Sequence, residues 1–71
     1  MQPLSCVPPG REVRVVQVVG GRGLRSRMYS MGILPGATLR VLSAGPGPLL
    51  VLVRDCRLAL GQGLAAKVLV E

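Results

Sequence analysis

The stretch 27–41, RMYSMGILPGATLRV, decides how this chain folds. It holds a run with helical spacing that stops at Gly32, then a Pro35-Gly36 pair, then strand-like alternation. Glycine adopts the left-handed backbone conformation that ends many helices, so Gly32 is predicted to end a short helix. Leu34 precedes a proline and is therefore extended, and Pro35 with Gly36 fits the two central positions of a type II turn. The stretch predicts a helix that stops abruptly and is followed by a strand.

Outward from this junction, the chain carries one helix candidate and five short strand candidates. Leu24, Met28 and Met31 are spaced i, i+4 and i+7, which predicts a helix over 23–31. The other apolar runs are rich in Val and Leu and are bounded by Gly and Pro, which is typical of strands. These runs are 11–21, 37–45, 49–54, 57–60 and 67–71. The alternation of the first run breaks near Val16, which predicts a β-bulge there.

The composition favours a small all-β domain. The chain has 71 residues and is 49% hydrophobic, yet it contains no Phe or Trp. Its core is therefore expected to be aliphatic, and β-branched aliphatic side chains suit a pleated sheet. We therefore predict a single domain, 1–71, folded as a small barrel of about five strands with one short helix after the first strand. Residues 1–10 contain three prolines and are predicted to be an extended N-terminal lead-in, from which Leu4 docks on the domain.

The formal net charge of +6 has two interpretations. A basic balance favours an acidic partner, a nucleic acid or an anionic membrane surface. It also keeps a small hydrophobic domain soluble. The arginines are scattered, with Arg22, Arg25 and Arg27 as the densest group, and this scatter favours the solubility interpretation.

Residues that carry catalysis or bind metals are scarce. The chain has no histidine and no paired carboxylates for proton transfer, and no base accompanies its serines or cysteines. We predict no enzyme activity, no cofactor and no metal site. Cys6 and Cys56 stand far apart and are predicted to be free thiols of a cytosolic protein. No segment approaches the roughly 20 apolar residues of a membrane span.

A binding role is what remains, and the strand 49–54 carries the best indication of it. If its odd-numbered residues point into the barrel, Leu50, Leu52 and Arg54 point outward. Such a patch is typical of protein–protein contact. The alternative is that the N-terminal lead-in covers the two leucines. Tyr29, the single aromatic residue, lies off the apolar helix face and is either a contact anchor or a packing residue.

The residues assembled so far resemble the FeoA family over about 10–71. In that family an arginine and a leucine-like residue precede a Met/Leu-Gly-Ile/Leu-x-Pro-Gly turn, which is similar to RMYSMGILPG here. The later GP…LVLVRDCRLALGQGLAAKVLV resembles the remainder of the domain. Met28 departs from the family, where leucine is usual. The matching positions are Arg27, Gly32, Pro35, Gly36, Ala59 and Leu60.

The resemblance implies an SH3-like β-barrel and a small cytosolic accessory protein of bacterial ferrous iron uptake. The implied partner is the membrane transporter FeoB, which carries a cytoplasmic GTP-binding domain and would hold the protein peripheral to the inner membrane. We therefore predict a non-catalytic protein-interaction module. Its predicted partner-binding residues are Leu50, Leu52, Arg54, Tyr29 and Arg27.

Nucleic acid binding is the alternative function. A basic barrel supplies the electrostatic attraction, but base recognition needs aromatic stacking platforms, and one tyrosine is too few. A nucleic acid partner is therefore not expected, and a salt-dependent gel shift distinguishes the two functions. The leucine-rich run 49–52, unusual for the family, also indicates either a more adhesive surface or self-association.

Overall fold

In a computed structural model, all 71 residues are described, and they form a six-stranded antiparallel sheet with two short helices. The elements in chain order are β1 (Gln2–Pro3), a 3₁₀ turn (Leu4–Cys6), β2 (Glu12–Val18), α1 (Arg22–Ser30), β3 (Thr38–Ser43), β4 (Leu49–Val53), β5 (Cys56–Leu60), α2 (Gln62–Ala65) and β6 (Val68–Val70). All five predicted strands and the predicted helix are present, and the lead-in adds a sixth strand. Neither helix has the length and apolar character that crossing a membrane requires.

The strands lie in the order β1-β6-β2-β3-β4-β5 and surround a single core. The core consists of sixteen buried side chains, all of them hydrophobic. Alternate residues of β2, β3, β4 and β6 enter this one cluster, so the sheet has to curl around it as a partly open barrel. On β4, for example, Leu49, Val51 and Val53 are buried while the two leucines between them face the other way. This all-β architecture confirms the predicted fold class.

The predicted bulge lies in β2. The register between β2 and β6 shifts between Val15 and Gln17. Val15 and Val18 are both buried although they are three residues apart, a spacing that regular alternation does not allow. The extra residue, Val16, restores the inward direction of Val18, as the sequence predicts.

The helix ends as the sequence predicts. Gly32 has φ +89°, and its N–H donates to the Tyr29 carbonyl at 2.9 Å. The Ile33 N–H donates to the Met28 carbonyl at 3.0 Å. These two bonds constitute a Schellman motif. Ile33 and Met28 are both buried in the core, so the motif anchors the end of α1 to the barrel.

The turn that follows is of type II and is attached to β2. Gly36 has φ +93°, and the Ala37 N–H donates to the Leu34 carbonyl at 2.9 Å across Pro35. The Gly36 N–H also donates to the Val15 carbonyl, and the Val15 N–H donates to the Ala37 carbonyl, both at 2.8 Å. The turn therefore starts β3 at a position set by the bulged part of β2.

The lead-in is more ordered than the sequence predicts. β1 pairs with β6, with Gln2 opposite Val70. Leu4 docks as predicted, and it and Val7 are buried in the core, while the 3₁₀ turn packs against β6 and α2. The prediction of an extended segment throughout 1–10 is therefore wrong at the 3₁₀ turn. Burial of these side chains outweighs the weak local preferences of a proline-rich segment.

Candidate protein-interaction surface

The outward side of β3, β4 and β5 forms a mixed apolar and basic surface, which we call the outer face. Leu52 on β4 lies opposite Arg40 on β3 and Arg57 on β5. Leu50 lies opposite Ala59 on β5. Directly opposed side chains in an antiparallel sheet are close enough to interact, so the outer face is one continuous surface. We define it as Arg40, Leu50, Leu52, Arg57 and Ala59.

Leu50 and Leu52 point outward as predicted, but they are half-buried rather than exposed. The lead-in does not cover them, because its 3₁₀ turn packs at β6 and α2. Arginine stems cover neighbouring apolar surface while their charged groups stay in water, and Arg40 and Arg57 flank Leu52 from both sides. Both the fully exposed apolar patch and the covering lead-in are therefore wrong predictions. The surface is a half-buried leucine pair with two arginines opposite Leu52.

A separate, concave surface lies between the end of α1 and the β4–β5 hairpin, and we call it the junction groove. Gly32 allows this close approach, since a Cβ atom there would lie 3.1 Å from Cγ1 of Val53. Tyr29 is 41% exposed and Leu34 37% exposed, which leaves an aromatic ring and an aliphatic side chain available for contact. The groove is lined mainly by Tyr29, Met31, Leu34, Arg54 and Cys56.

Arg54 lies beside the outer face and also lines the junction groove. It lines the junction groove beside Tyr29, and it lines a second groove beside Leu52 and Arg40. Its φ of +57° makes it the one non-glycine residue with a left-handed backbone. This conformation costs roughly 1–2 kcal/mol for a residue with a Cβ. Strained residues of this kind cluster where a protein makes functional contacts, which favours a binding role for Arg54.

Replacing Arg54 with glycine is expected to raise the free energy of unfolding by about 0.5–1 kcal/mol, because relief of the left-handed strain exceeds the added entropy of glycine in the unfolded chain. Urea denaturation followed by circular dichroism measures this change. The control Arg54→Lys keeps the charge and the strain, so its stability should match the wild type. A loss of stability in Arg54→Gly would show that the arginine side chain stabilises the hairpin.

The remaining predicted residues are placed differently. Tyr29 lies next to Arg22 and Arg25 on one face of α1, where the three positions follow an i, i+3, i+7 spacing. Sequence reasoning missed these two arginines as neighbours of Tyr29, although their spacing signals a shared face.

Arg27 is exposed and lines neither the outer face nor the junction groove. The structure therefore brings Arg54 to Tyr29 and to Leu52, but it does not bring Arg27 to them. Met31, Leu34 and Cys56 of the junction groove were also missed, since only the packing of α1 on β4 brings them together.

The acidic residues neutralise little of the basic surface. The single salt bridge joins Arg14 on β2 to Glu71 at 2.7 Å, and both side chains are largely exposed. The arginines of α1 and of the outer face form no salt bridge, although Glu12 on β2 lies opposite Arg40. No group of three or more His, Cys, Asp or Glu residues is close enough together to hold a metal ion. Cys6 and Cys56 are both exposed free thiols.

Three known proteins are similar to this chain in sequence, and two of them are also similar in structure. A candidate Fe(2+) transport protein A of Methanocaldococcus jannaschii is 38% identical over all 71 residues of this chain and 87% of its own length. The crystal structure of an iron uptake regulatory protein, FeoA, is 44% identical with a TM-score of 0.92, over 97% of this chain and 93% of that one. Zinc-bound FeoA of Stenotrophomonas maltophilia is 28% identical with a TM-score of 0.86, over 100% of this chain and 91% of its own, and it is described as a prokaryotic SH3 domain protein.

The barrel therefore belongs to the class of SH3-like domains. The FeoA domain model matches residues 2–71, which is nearly the whole chain. This chain is a member of the FeoA family. Both the SH3-like fold and the family that the junction motif predicts are thereby confirmed.

Proposed function

We propose that this chain is a non-catalytic accessory protein of ferrous iron transport, which binds the cytoplasmic side of the transporter FeoB and modulates it. Membership in the FeoA family supports the iron-transport context. The Stenotrophomonas maltophilia protein, described as a candidate activating factor of bacterial ferrous iron transport, supports a regulatory role. The observation that carries the interaction itself is the outer face, with its leucine pair and the two arginines opposite Leu52.

The chemistry of both surfaces is that of recognition. Aliphatic side chains and a tyrosine supply apolar contact area, and guanidinium groups donate hydrogen bonds without changing protonation near neutral pH. Arg54 joins the outer face to the junction groove, so a partner can contact both at once. Arginine and tyrosine are also the residue types enriched among those that dominate binding energy at protein interfaces.

The proposal predicts that Leu52→Asp and the double variant Leu50→Asp, Leu52→Asp weaken binding to the cytoplasmic domain of FeoB by about tenfold or more, since loss of a central contact costs about 2 kcal/mol or more and about 1.4 kcal/mol is tenfold. Isothermal titration calorimetry in each nucleotide state of the transporter domain measures the affinity. The new aspartate at position 52 lies between Arg40 and Arg57, so the fold should tolerate it.

Leu69→Asp is the matched control. Leu69 is also a half-buried leucine that faces outward, but it lies on β6, away from the outer face. Its affinity should equal that of the wild type, provided that circular dichroism shows both variants folded. Equal losses in Leu52→Asp and Leu69→Asp would count against an interface on the outer face. Absence of wild-type binding in every nucleotide state would count against the cytoplasmic domain as the partner.

A further inference from the structure

β5 is an open edge of the sheet. It pairs with β4 alone, in an uninterrupted antiparallel register from Val53 opposite Cys56 to Leu49 opposite Leu60. No other helix or strand packs extensively against it. An edge strand presents unpaired backbone groups that can pair with another chain, and proteins usually shorten, bulge or cover such strands. β5 is five residues long, regular and uncovered.

The register shows which backbone groups face outward. The hairpin turn contains only Arg54 and Asp55, so Val53 and Cys56 form the hydrogen-bonded pair that closes it. Hydrogen-bonded and non-hydrogen-bonded pairs alternate along the ladder, so the N–H and C=O groups of Arg57 and Ala59 point away from β4. None of the backbone hydrogen bonds made by turns and loops involves these two residues. The edge therefore offers two free donors and two free acceptors.

The side chains beside this edge select an acidic occupant. Arg57 is exposed on β5, Arg54 stands at the hairpin, and neither forms a salt bridge. Asp55, the one acid in this hairpin, also forms none. A strand added to β5 would place its side chains directly beside Arg57, where a carboxylate is favourable. A second copy of this chain is disfavoured, because each copy carries a net charge of +6.

We propose that β5 accepts an extended, acidic segment of a protein partner as a seventh strand of the sheet. Backbone hydrogen bonds to Arg57 and Ala59 supply affinity, and carboxylates beside Arg57 and Arg54 supply specificity, as in other cases of strand addition. At its Cys56 end the edge adjoins the junction groove, which can take an apolar side chain of the same segment. The inference deepens the proposed function and rests on it only in assigning the segment to the transporter.

The experiment uses a short synthetic peptide of alternating glutamate and valine as the probe, added to the ¹⁵N-labelled full chain. Hydrogen exchange of the Arg57 and Ala59 amides should slow by about tenfold or more when the peptide pairs with them. The Cys56, Leu58 and Leu60 amides already face β4, so their exchange should change little. A peptide in which lysine replaces glutamate should have no effect, because it presents like charge to Arg57.

A pair of variants tests the backbone contact. Ala59→Pro removes the outward N–H, at the kind of edge position where a sheet tolerates proline, and it should lower peptide affinity by about tenfold. Ala59→Thr keeps the N–H and should bind the peptide as the wild type does. The hydrogen-exchange measurement at Arg57 and Ala59 uses the unmodified chain, so it tests the proposal even if Ala59→Pro does not fold.

Three results would overturn the inference: unchanged exchange at Arg57 and Ala59, equal binding by a folded Ala59→Pro and by Ala59→Thr, or equal binding of the lysine peptide. The peptide experiment contains no transporter, so it is separate from the test of the proposed function. Peptide pairing without transporter binding would retain the edge site and reject the proposed function. Transporter binding without peptide pairing would retain the proposed function and reject the edge site.

Discussion

Leu4→Ala is expected to lower the free energy of unfolding by about 2–5 kcal/mol, the range for a fully buried leucine cut back to alanine. Leu4 is 0% exposed and belongs to the core cluster, where the 3₁₀ turn holds it against β6 and α2. At about 0.05–0.15 kcal/mol per residue, a domain of 71 residues has about 4–11 kcal/mol of stability, so this loss is a large fraction of the total. Urea denaturation followed by circular dichroism should therefore show a much lower midpoint or a chain that is already unfolded.

Two variants at nearby exposed positions separate this core contact from the mere presence of the lead-in. Met1→Ala changes a side chain that is 77% exposed, and Cys6→Ala changes an exposed side chain in the same 3₁₀ turn. The free energy of unfolding of each variant should lie within about 0.5 kcal/mol of the wild-type value. A Leu4→Ala variant as stable as these two would mean that the lead-in is not docked in solution.

Gly32→Ala is expected to destabilise the chain by about 2–4 kcal/mol, from two causes that act together. The backbone at Gly32 has φ +89°, which alanine adopts only with strain. The added Cβ would also lie 3.1 Å from Cγ1 of Val53 on β4, so the end of α1 or the strand must shift. The denaturation midpoint in urea measures the sum of these costs.

Gly36→Ala is the matched comparison, because it has nearly the same backbone angle without the contact. Its φ is +93°, and a Cβ there would meet nothing within 4 Å. Its cost should be only the left-handed strain, about 1–2 kcal/mol. In a Val53→Ala background, Gly32→Ala should lose part of its excess cost, since the opposing atom is gone. Equal costs for the two glycine variants would show that the end of α1 is free to move away from β4.

Much of the fold follows from local sequence because its causes act over a few residues. Glycine at position 32 permits the left-handed cap, and Pro35 with Gly36 sets the turn whatever lies elsewhere in the chain. The two-residue period of a strand determines which side chains of β4 share a face, although the apolar run 49–53 leaves open which face is inward. The FeoA resemblance rests on this same junction, so the family could also be predicted from sequence.

The candidate site could be predicted only in part. The two-residue period predicts that Leu50 and Leu52 face outward if the odd-numbered residues of β4 face inward, but it does not predict that Arg40 and Arg57 flank Leu52. That arrangement depends on the registers of β3 and β5 against β4. The groove that brings Tyr29 to Arg54 likewise depends on how closely α1 approaches the β4–β5 hairpin, which no local pattern encodes.

By itself, then, the sequence determined the helix and its abrupt end, the type II turn, which residues of β4 share a face, and the family. Tertiary structure alone decided that the lead-in pairs with β6, that the two leucines are half-buried, and that β5 remains an open edge. The physical reason is the range of the interactions. Backbone preferences act between neighbours in sequence, whereas β1 meets β6 from the opposite end of the chain because burying Leu4 stabilises the barrel.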